Sequence, residues 1–126
     1  MTEHSCACAT YSETLVKSDA SWNGKKYEKY PDGVPQLTVV RMTIPAHTSL
    51  PWHTHPMPNA AYILTGQMTV EELATGRTQT FHAGEAFPES IDDTHRGTTG
   101  AEETVVIVTY ASVEGLPLSV AATDNA

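Results

Sequence analysis

The chain has 126 residues, 40% hydrophobic and 17% charged, with 8 Gly and 8 Pro, a size and composition for one folded domain. Seven Lys and Arg stand against 15 Asp and Glu, so the net charge of -8 excludes the basic surface that phosphate backbones need and no nucleic-acid partner is expected. No stretch approaches the roughly 20 apolar residues of a membrane helix, and no basic-then-apolar leader opens the chain, so a cytoplasmic protein without a membrane partner is expected.

In chain order, residues 1–34 read as an N-terminal arm. Cys6 and Cys8 lie too close together to bridge each other easily. With His4 they form at most a small metal-binding tail, and an incidental pair of thiols is the plainer reading. Charges in residues 1–41 balance, so the whole excess of acid falls in residues 42–126. The Asn23-Gly24 pair predicts a tight hairpin turn within the arm.

Residues 35–112 read as a β-barrel. Leu37 to Ile44 alternate, with Thr38, Val40, Met42 and Ile44 on one face and Leu37, Val39, Arg41 and Thr43 on the other. Strands are then predicted over Ala60–Leu64, Gln67–Leu73 and Arg77–Phe81, with a turn at Ala74-Thr75-Gly76. Short strands around Phe87 and His95 and a β-branched run from Thr104 to Tyr110 complete the pattern. At least seven strands, almost no helix and burial of Val40, Ile63, Val70 and Ile107 are expected, an all-β sandwich or barrel. Residues 113–126 read as a tail, frayed from Ala121 onward.

Two of the six histidines, His53 and His55, stand in an x-His-x-His-x arrangement between Trp52 and Pro56. In a strand, residues two apart share a face at about 7 Å, so both rings can converge on one ion at about 2.0–2.1 Å. His95 is the candidate third ligand, from a second strand.

These residues carry a resemblance to the cupin superfamily. Its first motif is Gly, five residues, His-x-His, three or four residues, Glu, six residues, Gly. Here His53-Thr54-His55 is followed by Pro56-Met57-Pro58, by Asn59 in place of Glu, and by Gly66 at the right spacing, while His47 replaces the opening Gly. The second motif is Gly, five residues, Pro-x-Gly, two residues, His, three residues, Asn. Gly84 and His95 fit it, Pro88 lies near the expected Pro, the internal Gly is missing and Thr99 replaces Asn. The chain is most similar to small single-domain bacterial cupins.

The resemblance implies a double-stranded β-helix, or jelly roll, with a divalent ion in the barrel mouth. His53, His55 and His95 would be its ligands, and Asn59 a weaker one, because an amide oxygen carries no charge. The competing reading is a metal-free cupin whose histidines are hydrogen-bonded barrel residues. Fe, Zn, Ni, Mn and Cu all suit imidazole.

Glu89 reads as a solvated loop carboxylate, with an inward general base, or an acceptor supporting the ligands, as the alternative. His47 and His82 read as surface or supporting residues. Trp52, Met57 and Tyr62 are core by default and pocket-lining in the alternative. Asp92, Asp93, Glu102 and Glu103 read as a solvated acidic face.

Such a protein is expected to be a metal-dependent, dioxygenase-like enzyme or an isomerase on a small anionic or enolisable organic substrate. The alternative is a non-catalytic module that binds or senses a small molecule or metal. A homodimer is expected, because single-domain cupins commonly pair through sheet edges and the arm offers an added strand.

Overall fold

The computed structural model describes residues 9–122; Cys6, Cys8 and His4 lie outside them. The described chain folds into nine strands: β1 (Pro35–Ile44), β2 (His53–Thr54), β3 (Asn59–Thr65), β4 (Gln67–Glu72), β5 (Thr78–His82), β6 (Ala86–Pro88), β7 (His95–Thr99), β8 (Thr104–Val113) and β9 (Val120–Ala121). No helix appears among the described residues, and none is therefore long and apolar enough to cross a membrane.

The strands form two antiparallel sheets, ordered β1-β8-β3-β6 and β5-β4-β7-β2-β9, packed face to face as the jelly roll expected from the sequence. Alternation decides which side chains enter the space between them. On β1 the even positions turn inward, ending in the buried Ile44, while Leu37 and Val39 face solvent. Ala61 and Ile63 on β3, Met68 and Val70 on β4, and Phe81 and Phe87 complete the core, with the two phenyl rings stacked at 4.1 Å. Each large apolar side chain so buried stabilises the fold by about 1.5–3 kcal/mol.

Val40 and Ile107 depart from expectation: each is only half-buried, Val40 packing against the core from its rim, and β8 buries Val106, Val108 and Tyr110 in place of Ile107. The run Thr104 to Val108 is β-branched at every position, so both faces of the strand read alike and composition does not choose between them.

Two segments expected to lie outside the barrel are joined to it. At the C-terminal end, Val120 pairs with Thr54 and Ala121 with His53, so β9 forms the edge of the second sheet, and Leu116 and Leu118 pack on the core. In the arm, Ala20 bridges Lys26 around a turn that Gly24 closes by donating its N–H to Ser21 O at 2.9 Å. Gly24 follows that turn with φ of 89°, so the loop is longer than a two-residue hairpin turn.

Candidate metal centre

Strand pairing brings the distant histidines together. His53 on β2 lies directly opposite His95 on β7, and β2 is held between β7 and β9. His55 follows two residues after His53 and is buried with His95, while His53 is half-buried. The three ring centroids lie 4.5–5.1 Å apart.

The fourth member is Glu89, which follows β6. Its backbone N–H donates to Asn59 O at 2.9 Å, so it extends the β3–β6 pairing by one position. Phe87 is buried two residues earlier, and the strand period therefore turns Glu89 inward as well. Its Oε1 lies 3.1 Å from His95 Nε2 and 3.6 Å from His55 Nε2. The solvated-loop reading of Glu89 is thus overturned: the carboxyl is buried among the histidines.

Backbone carbonyls fix the chemistry of the rings. Pro51 O accepts from His53 Nδ1 at 2.9 Å, Leu118 O from His55 Nδ1 at 2.9 Å, and Asp93 O from His95 Nδ1 at 2.7 Å. A carbonyl only accepts, so each Nδ1 carries a proton; Nε2 then offers a lone pair to a cation in the neutral ring, or donates to Glu89 when the ring is protonated. His53 Nε2 and His55 Nε2 nevertheless face each other at 3.2 Å. Three lone pairs and a carboxylate oxygen, all within 4.8 Å of one another, converge on one point. Protons or a cation must lie between them.

Three donor pairs, at 3.1, 3.2 and 3.6 Å, stand near the roughly 3 to 3.5 Å that donors bonded to one divalent ion at about 2.0–2.1 Å keep at the common coordination angles, and all four donors lie within 4.8 Å of one another. The backbone hydrogen bonds on Nδ1 supply the outer support that ligating histidines ordinarily have.

Burial alone would raise the Glu89 carboxyl, but the hydrogen bonds and charges of His55 and His95 override it and hold the group well below the usual carboxylate range. Burial would likewise lower the His95 imidazole, yet its contact with Glu89 raises it above its ordinary value. His53, which burial lowers, is opposed only in part by its bond to the Pro51 carbonyl.

The four donors line a cavity of about 60 Å³ together with apolar side chains and Tyr110. The Tyr110 ring lies 5.7 Å from that of His55, and its hydroxyl is pushed up to about 12 by burial and then by the charge of Glu89. Sequence reading assigns Tyr110 no role, although its even position on β8, in step with Val106 and Val108, is the signal that aims it inward.

The remaining candidates lie elsewhere. Asn59 is buried beside the site but is not on the cavity wall; its Nδ2 donates to Met57 O at 3.2 Å and its Oδ1 is buried without a partner among the described residues. Met57 is fully buried core. Trp52 lies under the Arg96 guanidinium, 4.3 Å from the ring centre, and neither it nor Tyr62 lines the cavity. His47 and His82 are exposed, as are Asp92, Glu102 and Glu103. Asp93 is half-buried and accepts a hydrogen bond from Asn23 at 2.9 Å, so it is not part of a purely solvated face.

Comparison with known proteins agrees with this geometry. A family model described as the cupin domain matches residues 40–110. No curated protein matches the chain. Among solved structures, the polyketide cyclase RemF from Streptomyces resistomycificus superposes with a TM-score of 0.58 at 23% identity, over 72% of this chain and 63% of that one. A cupin-like protein from Thermotoga maritima gives 0.57 at 15% identity, over 71% and 68%. An oxalate oxidase gives 0.53 at 21% identity, over 60% and 42%. The chain thus spans less than two thirds of the cyclase and of the oxidase, and at these identities the likeness is one of fold. From the matched region, the two sheets and the paired motifs, the chain belongs to the cupin domain family.

Proposed function

We propose that this protein is a metal-dependent enzyme that holds one divalent ion through His53, His55, His95 and Glu89 and acts on a small organic anion or enolisable molecule, with oxygen as co-substrate. The observation that carries this reading is the convergence of three Nε2 lone pairs and a carboxylate with every Nδ1 proton already committed to a carbonyl. The solved structures of similar fold include an oxalate oxidase and a polyketide cyclase, so the fold is one on which enzymes are built.

Glu89 takes the place that Asn59 leaves vacant. Asn59 holds the motif position of the family's Glu, and Glu89 is its neighbour across the β3–β6 pair. The carboxylate has moved from one strand to the next while still facing the same interior. The centre then carries one positive charge with a divalent ion, not the two of a three-histidine site.

When bound, the ion would supply Lewis acidity and a place for oxygen or substrate to coordinate. The chain's own part is to hold the rings in one tautomer, to keep a carboxylate dry and ionised beside them, and to line the remaining space with apolar side chains that exclude water. Glu89, held ionised, is able to accept a hydrogen bond at its free oxygen. Fe, Zn, Ni, Mn and Cu remain the candidate ions.

Elemental analysis tests the metal. We expect about one equivalent of divalent ion in the wild type, none in His53→Ala, His55→Ala or His95→Ala, and affinity about 10- to 100-fold weaker in Glu89→Gln. Asn59→Ala should keep its metal. Full metal content in His95→Ala would remove the site as assigned. Oxygen uptake by the metal-replete protein, supplied with small diketones, thiols and keto or hydroxy acids, tests turnover, and saturable binding with no product would favour the binding module. A homodimer and a cytoplasmic location complete the proposal.

A further inference from the structure

The cavity that the four donors line restricts what the centre can accept. At about 60 Å³ it is far below the 300–1,000 Å³ of pockets for drug-sized ligands. A buried water needs about 10–15 Å³ on the same measure, so the cavity holds roughly four to six groups of that size, the ion among them.

Its walls are apolar apart from the donors: Met42, Leu50, Met68, Phe87 and Val108 are typical of them. Gly97 keeps the space open for one of these, because a Cβ there would collide with the Met68 thioether. The remaining polar group is the Tyr110 hydroxyl. None of the described residues exchanges a hydrogen bond with it, and the Tyr110 ring lines the cavity 5.7 Å from that of His55, so this is the polar group beside the donors that has a hydrogen bond to give.

Charge narrows the class further. A divalent ion with one carboxylate leaves a single positive charge, and an uncompensated charge in an apolar enclosure is costly. A monoanion cancels it. A carboxylate group has two acceptor oxygens, which suffices for the ion and for the Tyr110 hydroxyl, and a short alkyl remainder matches the walls.

We infer that the site binds a short aliphatic monocarboxylate of three to about five heavy atoms, anchored by the ion and by a hydrogen bond from Tyr110, an inference that rests on the metal-centre reading above. Longer chains and rings are excluded by the walls, with Met42, half-buried on β1, forming part of the limit.

Cobalt(II)-loaded protein provides the test, with the visible bands of the ion as readout during titration with acetate, propionate, butyrate and benzoate. Acetate and propionate should shift the bands saturably, and butyrate and benzoate should bind about tenfold or more weakly. Tyr110→Phe should keep its cobalt and bind acetate about 5- to 10-fold more weakly, the loss of one hydrogen bond to a charged group. Met42→Ala should regain butyrate. Benzoate binding as tightly as acetate would overturn the size limit, and unchanged acetate affinity in Tyr110→Phe would overturn the anchor. Absence of cobalt uptake by the wild type would overturn the metal reading and the ligand class with it, whereas uptake without discrimination among the four acids overturns the ligand class alone.

Discussion

Two side chains in this protein adopt a backbone conformation that ordinarily belongs to glycine. His47 has φ of 53° and Asp92 has φ of 57°, and they are the non-glycine residues with positive φ among those described. His47 stands where the first cupin motif opens with Gly. Counting from Gly84, Asp92 stands where the second motif has its internal Gly. The turns have therefore kept their shape after the residue that makes them cheap was lost. His47 N–H still donates to Gly100 O at 2.8 Å, and Asp92 N–H to His55 O at 2.9 Å, so each turn is tied to the strands around the site. A left-handed residue with a Cβ costs roughly 1–2 kcal/mol, less for Asp, whose short side chain tolerates the region. Glycine relieves that strain and gives back part of it through a freer unfolded chain. His47→Gly should thus raise stability by about 0.5–1 kcal/mol and Asp92→Gly by less, read as the shift in denaturation midpoint with metal content unchanged. A lower midpoint for His47→Gly would show that the turn is not strained. The missing glycines weakened the motif match in the sequence, yet the conformations they serve are present, because φ is set by the neighbouring strand bonds as well as by the residue itself.

At the scale of elements, the N-terminal hairpin is the part whose role was least legible. The Asn23-Gly24 pair announced a turn but not its target. The hairpin clasps the segment that carries Glu89: Trp22 N–H donates to Pro88 O at 2.9 Å, the Tyr27 hydroxyl to Glu89 O at 2.5 Å, and Asn23 Nδ2 to Asp93 Oδ2 at 2.9 Å. The β6 strand that precedes Glu89 is only three residues long and pairs on one side alone, so it would hold a ligand poorly without these bonds. Tyr27 remains a donor throughout the working range, since burial and then the charge of Glu89 push its hydroxyl up to about 12. Tyr27→Phe should cost about 1 kcal/mol of stability and weaken metal binding about 3- to 10-fold, measured by competition with a chelator. Unchanged affinity in a folded Tyr27→Phe protein would show the clasp to be structural only. Local patterns of this kind explain what could and could not be read. The strands of the barrel announced themselves through period-2 alternation, and His53 and His55 through their spacing. Glu89 reads first as solvated and only second as inward, because it stands beside Ser90 and two aspartates and its partner Asn59 lies thirty residues away; the deciding signal is its phase with Phe87. The β9 strand was missed because two residues are too few to show a period, and only pairing with His53 defines them.

For the whole molecule, the open question is how the barrel edges are protected. β1 is ten residues long, lies at the edge of its sheet, and exposes Leu37 at 78% and Val39 at 63%. Long apolar edges of this kind are templates for pairing with another chain. The arm, expected to supply an added strand for dimerisation, is instead occupied by Pro88, Glu89 and Asp93 of its own barrel. Among the edge strands β1, β5, β6 and β9, the length and exposed apolar side chains of β1 point to it as the pairing edge in the proposed homodimer. An antiparallel two-fold through Thr38 would set Leu37 opposite the partner's Val39, an apolar cross-strand pair repeated by symmetry. Charge favours the same edge. The one charged residue within β1 is Arg41, so no acidic group on the strand itself opposes pairing between two copies that each carry -8. The wild type should therefore sediment as a dimer at micromolar concentration, and added salt should tighten it by screening the remaining repulsion between like-charged barrels. Replacing Leu37 and Val39 together by Lys should give a monomer, through both lost apolar area and like charges set opposite each other. Because the four donors lie inside each barrel, on β2, β7 and the segments after β2 and β6, that monomer should retain its full equivalent of metal. A wild type that is monomeric at every concentration and salt would sink the dimer, and a lysine variant that stays dimeric would move the interface to another edge.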